Sequence, residues 1–254
     1  MDITTPPHPV VTRDRWIADR LALLAQEKAV MRESDRVAAA RRALPWVRMD
    51  DSAYVFDTPE GPRRLSDLFQ GRRQLLVQHF MLGPGWEQGC PSCSFMADHL
   101  DGMAVHLAAR DIALLVVSRA PLAEITRFQQ RMGWQFPWVS SHANTFNRDF
   151  HVSFTPEARE GGEVFYNFHM TPFPQSEAPG ISVFFKNEAG EVFHTYSTFG
   201  RGVEVMMGTY PLVDLTPKGR DETGLPYTMA WVRHHDRYEP QVPAAAGGCC
   251  SHAA

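Results

Sequence analysis

The arrangement that leaves this chain the fewest folds is a dithiol, Cys90 and Cys93 in Gly89-Cys90-Pro91-Ser92-Cys93, set between a strand-length apolar run and a stretch of helical periodicity. Before it stands Gln74-Leu75-Leu76-Val77-Gln78-His79-Phe80, which predicts a buried strand. After it, Cys93, Met96, Leu100, Met103 and Leu107 recur at alternating intervals of three and four, predicting one helix that runs to about Arg110. Pro91 suits the first helical position, where a missing N–H costs nothing. The unpaired amides and dipole at that end favour a thiolate, so Cys90 is expected to be more acidic than a free cysteine. Cys93, three residues on, falls on the same face and within reach of a bridge. Such a pair can attack a disulfide through Cys90 and release the product through Cys93.

The rest of the composition narrows the function by exclusion. With 25 Lys+Arg against 29 Asp+Glu and a net charge of -4, the chain lacks the basic surface that nucleic acid demands. Its amino terminus has no apolar signal core and no segment approaches membrane-spanning length, which predicts a soluble, cytoplasmic protein with no membrane partner. A chain of 254 residues can bury a core without disulfide staples. Its four cysteines form two close pairs, a pattern suited to redox or metal chemistry rather than to cross-linking a fold. A structural zinc site would want a second ligand pair of suitable spacing, and no second Cys-x-x-Cys exists.

Along the chain, residues 1–45 read as a helical extension, with helical spacing from Thr12 to Ala43 and Pro45 as its stop. Residues 46–240 read as an α/β domain. Strands are expected at Tyr54–Phe56, Gln74–Phe80 and Ile112–Val117, a helix at Pro121–Met132 capped by Gly133, and a hairpin of Ile181–Lys186 with Glu191–Tyr196. Strands alternating with helices, then a hairpin, predict a central mixed sheet flanked by helices. Residues 241–254, including Val-Pro-Ala-Ala-Ala-Gly-Gly-Cys-Cys, read as a flexible tail. Its Cys249 and Cys250 are a candidate secondary redox or metal pair.

The run Gln74–Phe80, the Cys-Pro-Ser-Cys helix start and the proline before Ile181-Ser182-Val183-Phe184-Phe185 together resemble the thioredoxin-like superfamily. More narrowly, the stretches Phe80–Phe95, Val117–Ile125, Arg131–Ser141, Val192–Gly202 and Asp214–Glu222 resemble the DUF899 family, bacterial thioredoxin-like proteins without an assigned function. The resemblance implies a thioredoxin-like fold and a cis proline facing the dithiol, for which Pro179 is the match. It also exposes departures. Nine residues, Met81 to Gly89, separate Phe80 from Cys90, more than a thioredoxin uses, and His79 stands where a thioredoxin carries a buried acid. A histidine there could relay a proton. Trp86 is a candidate wall of a substrate groove, against a plain anchoring role. The peroxiredoxin pattern of a threonine three residues before the reactive cysteine is absent, since position 87 holds Glu.

The leading expectation is a thiol-disulfide oxidoreductase that needs no cofactor, acting on a protein or small-molecule disulfide and served by a separate electron donor. Two alternatives stand beside it. One is a metal-binding protein or metallochaperone using Cys90 and Cys93 with a histidine such as His194 or the tail cysteines. The other is a non-catalytic thioredoxin-like binding domain.

Overall fold

In a computed structural model, which describes residues 8–239, the apolar run before the dithiol becomes the centre of an eight-stranded sheet. Call that strand β4, Gln74–His79. It pairs in parallel with β5, Ile112–Ser118, and antiparallel with β9, Gly180–Lys186, whose hairpin partner is β10, Val192–Phe199. The parallel pair is joined by the helical crossover that starts at the dithiol. This four-stranded centre, a parallel pair continued by an antiparallel hairpin, is the thioredoxin-like arrangement. Beyond β5 lie β6, Trp138–Ser140, in parallel, then the antiparallel hairpin of β2, Val55–Thr58, and β3, Gly61–Arg64. The two-residue β1, Val47–Arg48, closes the edge beside β10. A separate hairpin, β7, Val164–Tyr166, with β8, His169–Thr171, turns at Asn167 and Phe168, both with positive φ as a type I′ loop requires.

Period-two alternation sends the two faces of β4 and β5 into separate cores. Leu75, Val77, Leu115 and Val117 join Phe56, Leu65, Phe146, Phe150 and Phe184 on one face. On the other, Leu114 and Val116 join Cys93, Met96, Phe128, Trp134 and Trp138, with Leu76 packed against them. The aromatic stretch Trp134–Trp138 is thus core.

The helix expected from Cys93 to Arg110 is two helices, α2, Pro91–Ala97, and α3, Leu100–Ala108. Their junction is fixed by tertiary bonds. Asp98 accepts from the Trp134 indole at 2.8 Å and from His235 at 2.6 Å, while His99 donates to the Phe95 carbonyl at 2.9 Å and meets the Thr209 hydroxyl at 3.2 Å. Next along the chain, α4, Leu122–Met132, ends on Gly133 at φ 70, the left-handed cap that a glycine supplies cheaply.

The chain separates into two units after Pro45. In the first, Arg13–Arg42 forms a single 30-residue helix, α1, with Thr12 accepting from the Arg15 amide, Asp14 in its first turn and Arg41 and Arg42 in its last. None of its residues is buried, so local terms such as the Arg15–Asp19 pair at 3.0 Å hold it helical.

Candidate active site

Strand β4 delivers the chain to Phe80, and the nine residues that follow fold back on themselves before α2 starts. Met81, Leu82 and Gly83 are buried, the Cys90 amide donates to the Met81 carbonyl at 3.1 Å, and the Ala120 amide donates to the Leu82 carbonyl at 2.9 Å. Trp86 packs over Gly83, with its Nε1 only 3.1 Å from where a Cβ would stand, and does not line the cavity that holds Cys90. It anchors the loop. Beneath it the buried Glu177 accepts from Arg119 at 2.9 and 2.6 Å and from Ser153. Gly89 has no room for a side chain, since a Cβ would overlap the Phe80 ring and come within 2.8 Å of Phe128.

Cys90 caps α2 with extended backbone, φ -60 and ψ 131, and Pro91 takes the first helical position. The thiol of Cys93 donates to the Cys90 sulfur. With further donation from the Cys93 and Ser92 amides and the Ser92 hydroxyl, it outweighs burial and brings Cys90 down to about 7. Cys93 is fully buried, and that burial, with the Cys90 sulfur beside it, pushes its thiol well above the ordinary range. Both thiols are free. The dithiol therefore holds one thiolate-forming sulfur, half-buried, beside one fully buried, proton-bearing sulfur.

Both sulfurs line a cavity of 860 Å³, whose other walls include Met81, Met96, Tyr166, Pro179, Met207 and Tyr210. Pro179 is there, as its place in the chain suggested, but with a trans peptide bond: among the described residues no peptide bond is cis. Its carbonyl accepts from the Tyr166 hydroxyl at 2.8 Å, and that hydroxyl accepts from the Gly200 amide at 2.9 Å.

His79 is not beneath the dithiol. Alternation turns it to the opposite face, where it stacks on Phe146 and Phe150 and its Nε2 meets Ser182 Oγ at 2.8 Å. Complete burial, with His194 nearby, lowers its pKa to about 3, so it is a neutral core group. Gln78 takes the dithiol face instead, its amide donating to the Cys93 carbonyl at 3.3 Å. His194 also lies on the far face, where its Nε2 meets Ser197 Oγ at 2.7 Å and Phe150 packs edge-on at 5.1 Å. The histidine named for a shared ion is thus across the sheet from Cys90, and among the described residues no three His, Cys, Asp or Glu side chains are grouped to hold a metal. Cys249 and Cys250 lie outside the described residues.

Gln78 had a signal in the sequence, the period-two parity of its strand. Tyr166, Tyr210, Glu222 and Met229 had none. They line the dithiol's cavity from β7 and from the segment after β10, which carries no periodicity to read.

The family model described as "Bacterial protein of unknown function (DUF899)" matches residues 5–238. Among curated proteins nothing matches. Solved structures similar to this chain include a mutant of Xanthomonas campestris peroxiredoxin Q, with TM-score 0.44 at 12% identity over 68% of this chain and 98% of that one. Peroxidoxin BcpB from Mycobacterium tuberculosis gives 0.39 at 15% over 63% and 92%, and a Xylella fastidiosa PrxQ mutant gives 0.42 at 11% over 66% and 94%.

Proposed function

The chain belongs to the DUF899 family of bacterial proteins of unknown function, and we propose that it is a thiol-disulfide oxidoreductase with Cys90 as nucleophile and Cys93 as resolving thiol. The observation that carries this reading is the opposed acidity of two sulfurs three residues apart at a helix start, one lowered to about 7 and one raised, both facing a cavity. An attacking thiol works best with a pKa near ambient pH, whereas a resolving thiol serves by staying protonated until the mixed disulfide forms.

The Cys90 thiolate attacks one sulfur of a substrate disulfide and expels the other as a thiolate. His79, across the sheet, and Gln78, an amide, are not bases for Cys93, and the thiolate that departs into the same cavity can take its proton. Cys93 then attacks the Cys90 sulfur, the second substrate thiol leaves, and two electrons have passed from dithiol to substrate. Pro179 shapes the wall beside Cys90. A reducing cytoplasm, with a separate thiol donor, suits a dithiol that must be returned to its reduced form.

The test is trapping. In a chain whose Cys249 and Cys250 are replaced by serine, Cys93→Ser should accumulate a mixed disulfide through Cys90 when given a disulfide, and Cys90→Ser should accumulate far less, as read by intact-mass measurement with and without reductant. A Cys93→Ser protein that forms no adduct while Cys90 remains alkylatable would remove the mechanism.

A further inference from the structure

The segment after β10 does something that the sheet alone does not require. Gly200–Met206 runs as a 3₁₀ helix and Thr209–Val213 as the short α5, and residues 214–232 then return across the dithiol side. Val203, Met206, Met207, Tyr210 and Val232 are buried in the same core as Cys93. Of these, Val203, Met207 and Tyr210 wall the 860 Å³ cavity, a volume in the range of sites that hold a whole small ligand.

The wall is held in shape by one carboxylate. Glu222 Oε1 accepts from the Tyr210 hydroxyl at 2.7 Å, the Trp231 indole at 2.8 Å and the Met229 amide at 3.0 Å. That last bond fixes Met229 at φ 67, a left-handed conformation that a non-glycine residue adopts only when its surroundings compel it. The result is a thioether placed in the cavity beside the two sulfurs. The charged groups around it are engaged with one another. Arg220 pairs with Asp214 at 2.9 Å and Glu204 at 3.2 Å and covers the Tyr210 ring at 4.0 Å, while Arg201 pairs with Glu204 at 2.9 Å. The cavity that the dithiol faces is therefore partly open, and its lining combines thioethers and aromatic rings with charges that are already paired among themselves.

Resting on the thiol-disulfide reading above, we infer that the substrate of Cys90 is a low-molecular-weight disulfide with an uncharged, apolar body, seated in the cavity against the thioethers and rings of the segment 200–229, and not the disulfide of a folded protein. An extended protein segment would need an open groove or a free strand edge at the reactive sulfur. Pro179 instead leads into β9, which is paired on both sides. In a single turnover of the pre-reduced chain, the Cys90–Cys93 disulfide forms and two equivalents of substrate thiol are released, with no further reactant.

The experiment is single-turnover oxidation of the full-length, pre-reduced chain, with Cys249 and Cys250 replaced by serine so that Cys90–Cys93 alone is oxidised, by three disulfides: 4,4′-dithiodipyridine, which is neutral and aromatic, glutathione disulfide, which is charged, and insulin. Each rate is divided by that of dithiothreitol with the same disulfide, which removes intrinsic reactivity. The expected result is a preference for the aromatic disulfide of roughly tenfold or more over both others, the scale of discrimination that an apolar pocket provides. Thr228 is exposed yet lines the cavity. Thr228→Trp should fill the space and abolish the preference, and Met229→Gly, which also relieves the backbone, should widen it and weaken the preference. Insulin reduced with equal or greater relative rate, or a preference that survives both substitutions, overturns the inference and leaves the thiol-disulfide function standing. A wild-type dithiol that none of the three oxidises takes down both.

Discussion

Cys90 owes its acidity to donors that can be removed one at a time. The largest is the Cys93 thiol, followed among the donors by the backbone amides of Cys93 and Ser92 and by the Ser92 hydroxyl. Alkylation of Cys90 should therefore rise through a midpoint near about 7, and Cys93→Ala should move that midpoint upward while Ser92→Ala moves it less. Thiolate absorbance against pH, in chains whose Cys249 and Cys250 are replaced by serine, measures all three, and an unmoved midpoint in Cys93→Ala would show that the donor has been misassigned. His79 bears on stability instead. Its folded pKa is about 3 against an ordinary 6.5, so between those values the unfolded chain binds a proton that the folded chain refuses. Its contribution is complete above pH 6.5 and is lost as pH falls toward 3, with a slope of up to about 1.4 kcal/mol per pH unit. His194, also depressed by burial, adds in the same direction. Urea unfolding at several pH values should show a shallower acid slope for His79→Leu than for the wild type. An unchanged slope would place the buried proton elsewhere. The dithiol was legible in the sequence because strand, turn and helix signals all converge on it. The placement of His79 was not, because order along the chain matched it to a buried acid while strand parity gives that face to Gln78.

At the scale of elements, the central strands could be read closely because each is a short apolar run bounded by turn formers. The crossover helix could not, because its spacing of three and four runs unbroken across a junction made by Trp134, His235 and Thr209, all distant in sequence. The loop from Phe80 to Cys90 depends on a similar long-range fit. Gly89 is buried against Phe80 and Phe128 and its carbonyl accepts from His234 at 2.8 Å, so the residue just before the nucleophile is clamped from two directions. Gly89→Ala must displace aromatic rings rather than a flexible chain end, an overpacking that costs about 1–3 kcal/mol. Thermal unfolding should show that loss, and the Cys90 midpoint should shift because the sulfur moves relative to its donors. An alanine accommodated with neither change would mean that the loop does not position Cys90.

The whole chain distributes its structure unevenly, and the sequence conveyed that only in part. Both cores are built from residues after Pro45: the first contributor along the chain is Met49, packed against the face that carries Phe146 and Phe184. The long helix α1 buries none of its side chains. A chain beginning at residue 46 should therefore keep one cooperative unfolding transition and the same Cys90 midpoint, since neither core nor any donor to the sulfur is removed. Removing the other end should be far more damaging. Residues 200–239 read as unpatterned sequence, yet they supply five buried side chains to the core that encloses Cys93, the His234 bond to Gly89, and the Arg131–Asp236 pair at 2.9 Å. A chain ending at residue 199 would leave Phe95, Met96 and Phe128 without those partners, exposing an apolar face of the kind that aggregates. Comparing the two truncations by circular dichroism and size-exclusion chromatography separates the alternatives. A soluble, folded 1–199 chain with a normal Cys90 midpoint would mean that the segment after β10 is an appendage, and the cavity beside the dithiol could not then be integral to the fold.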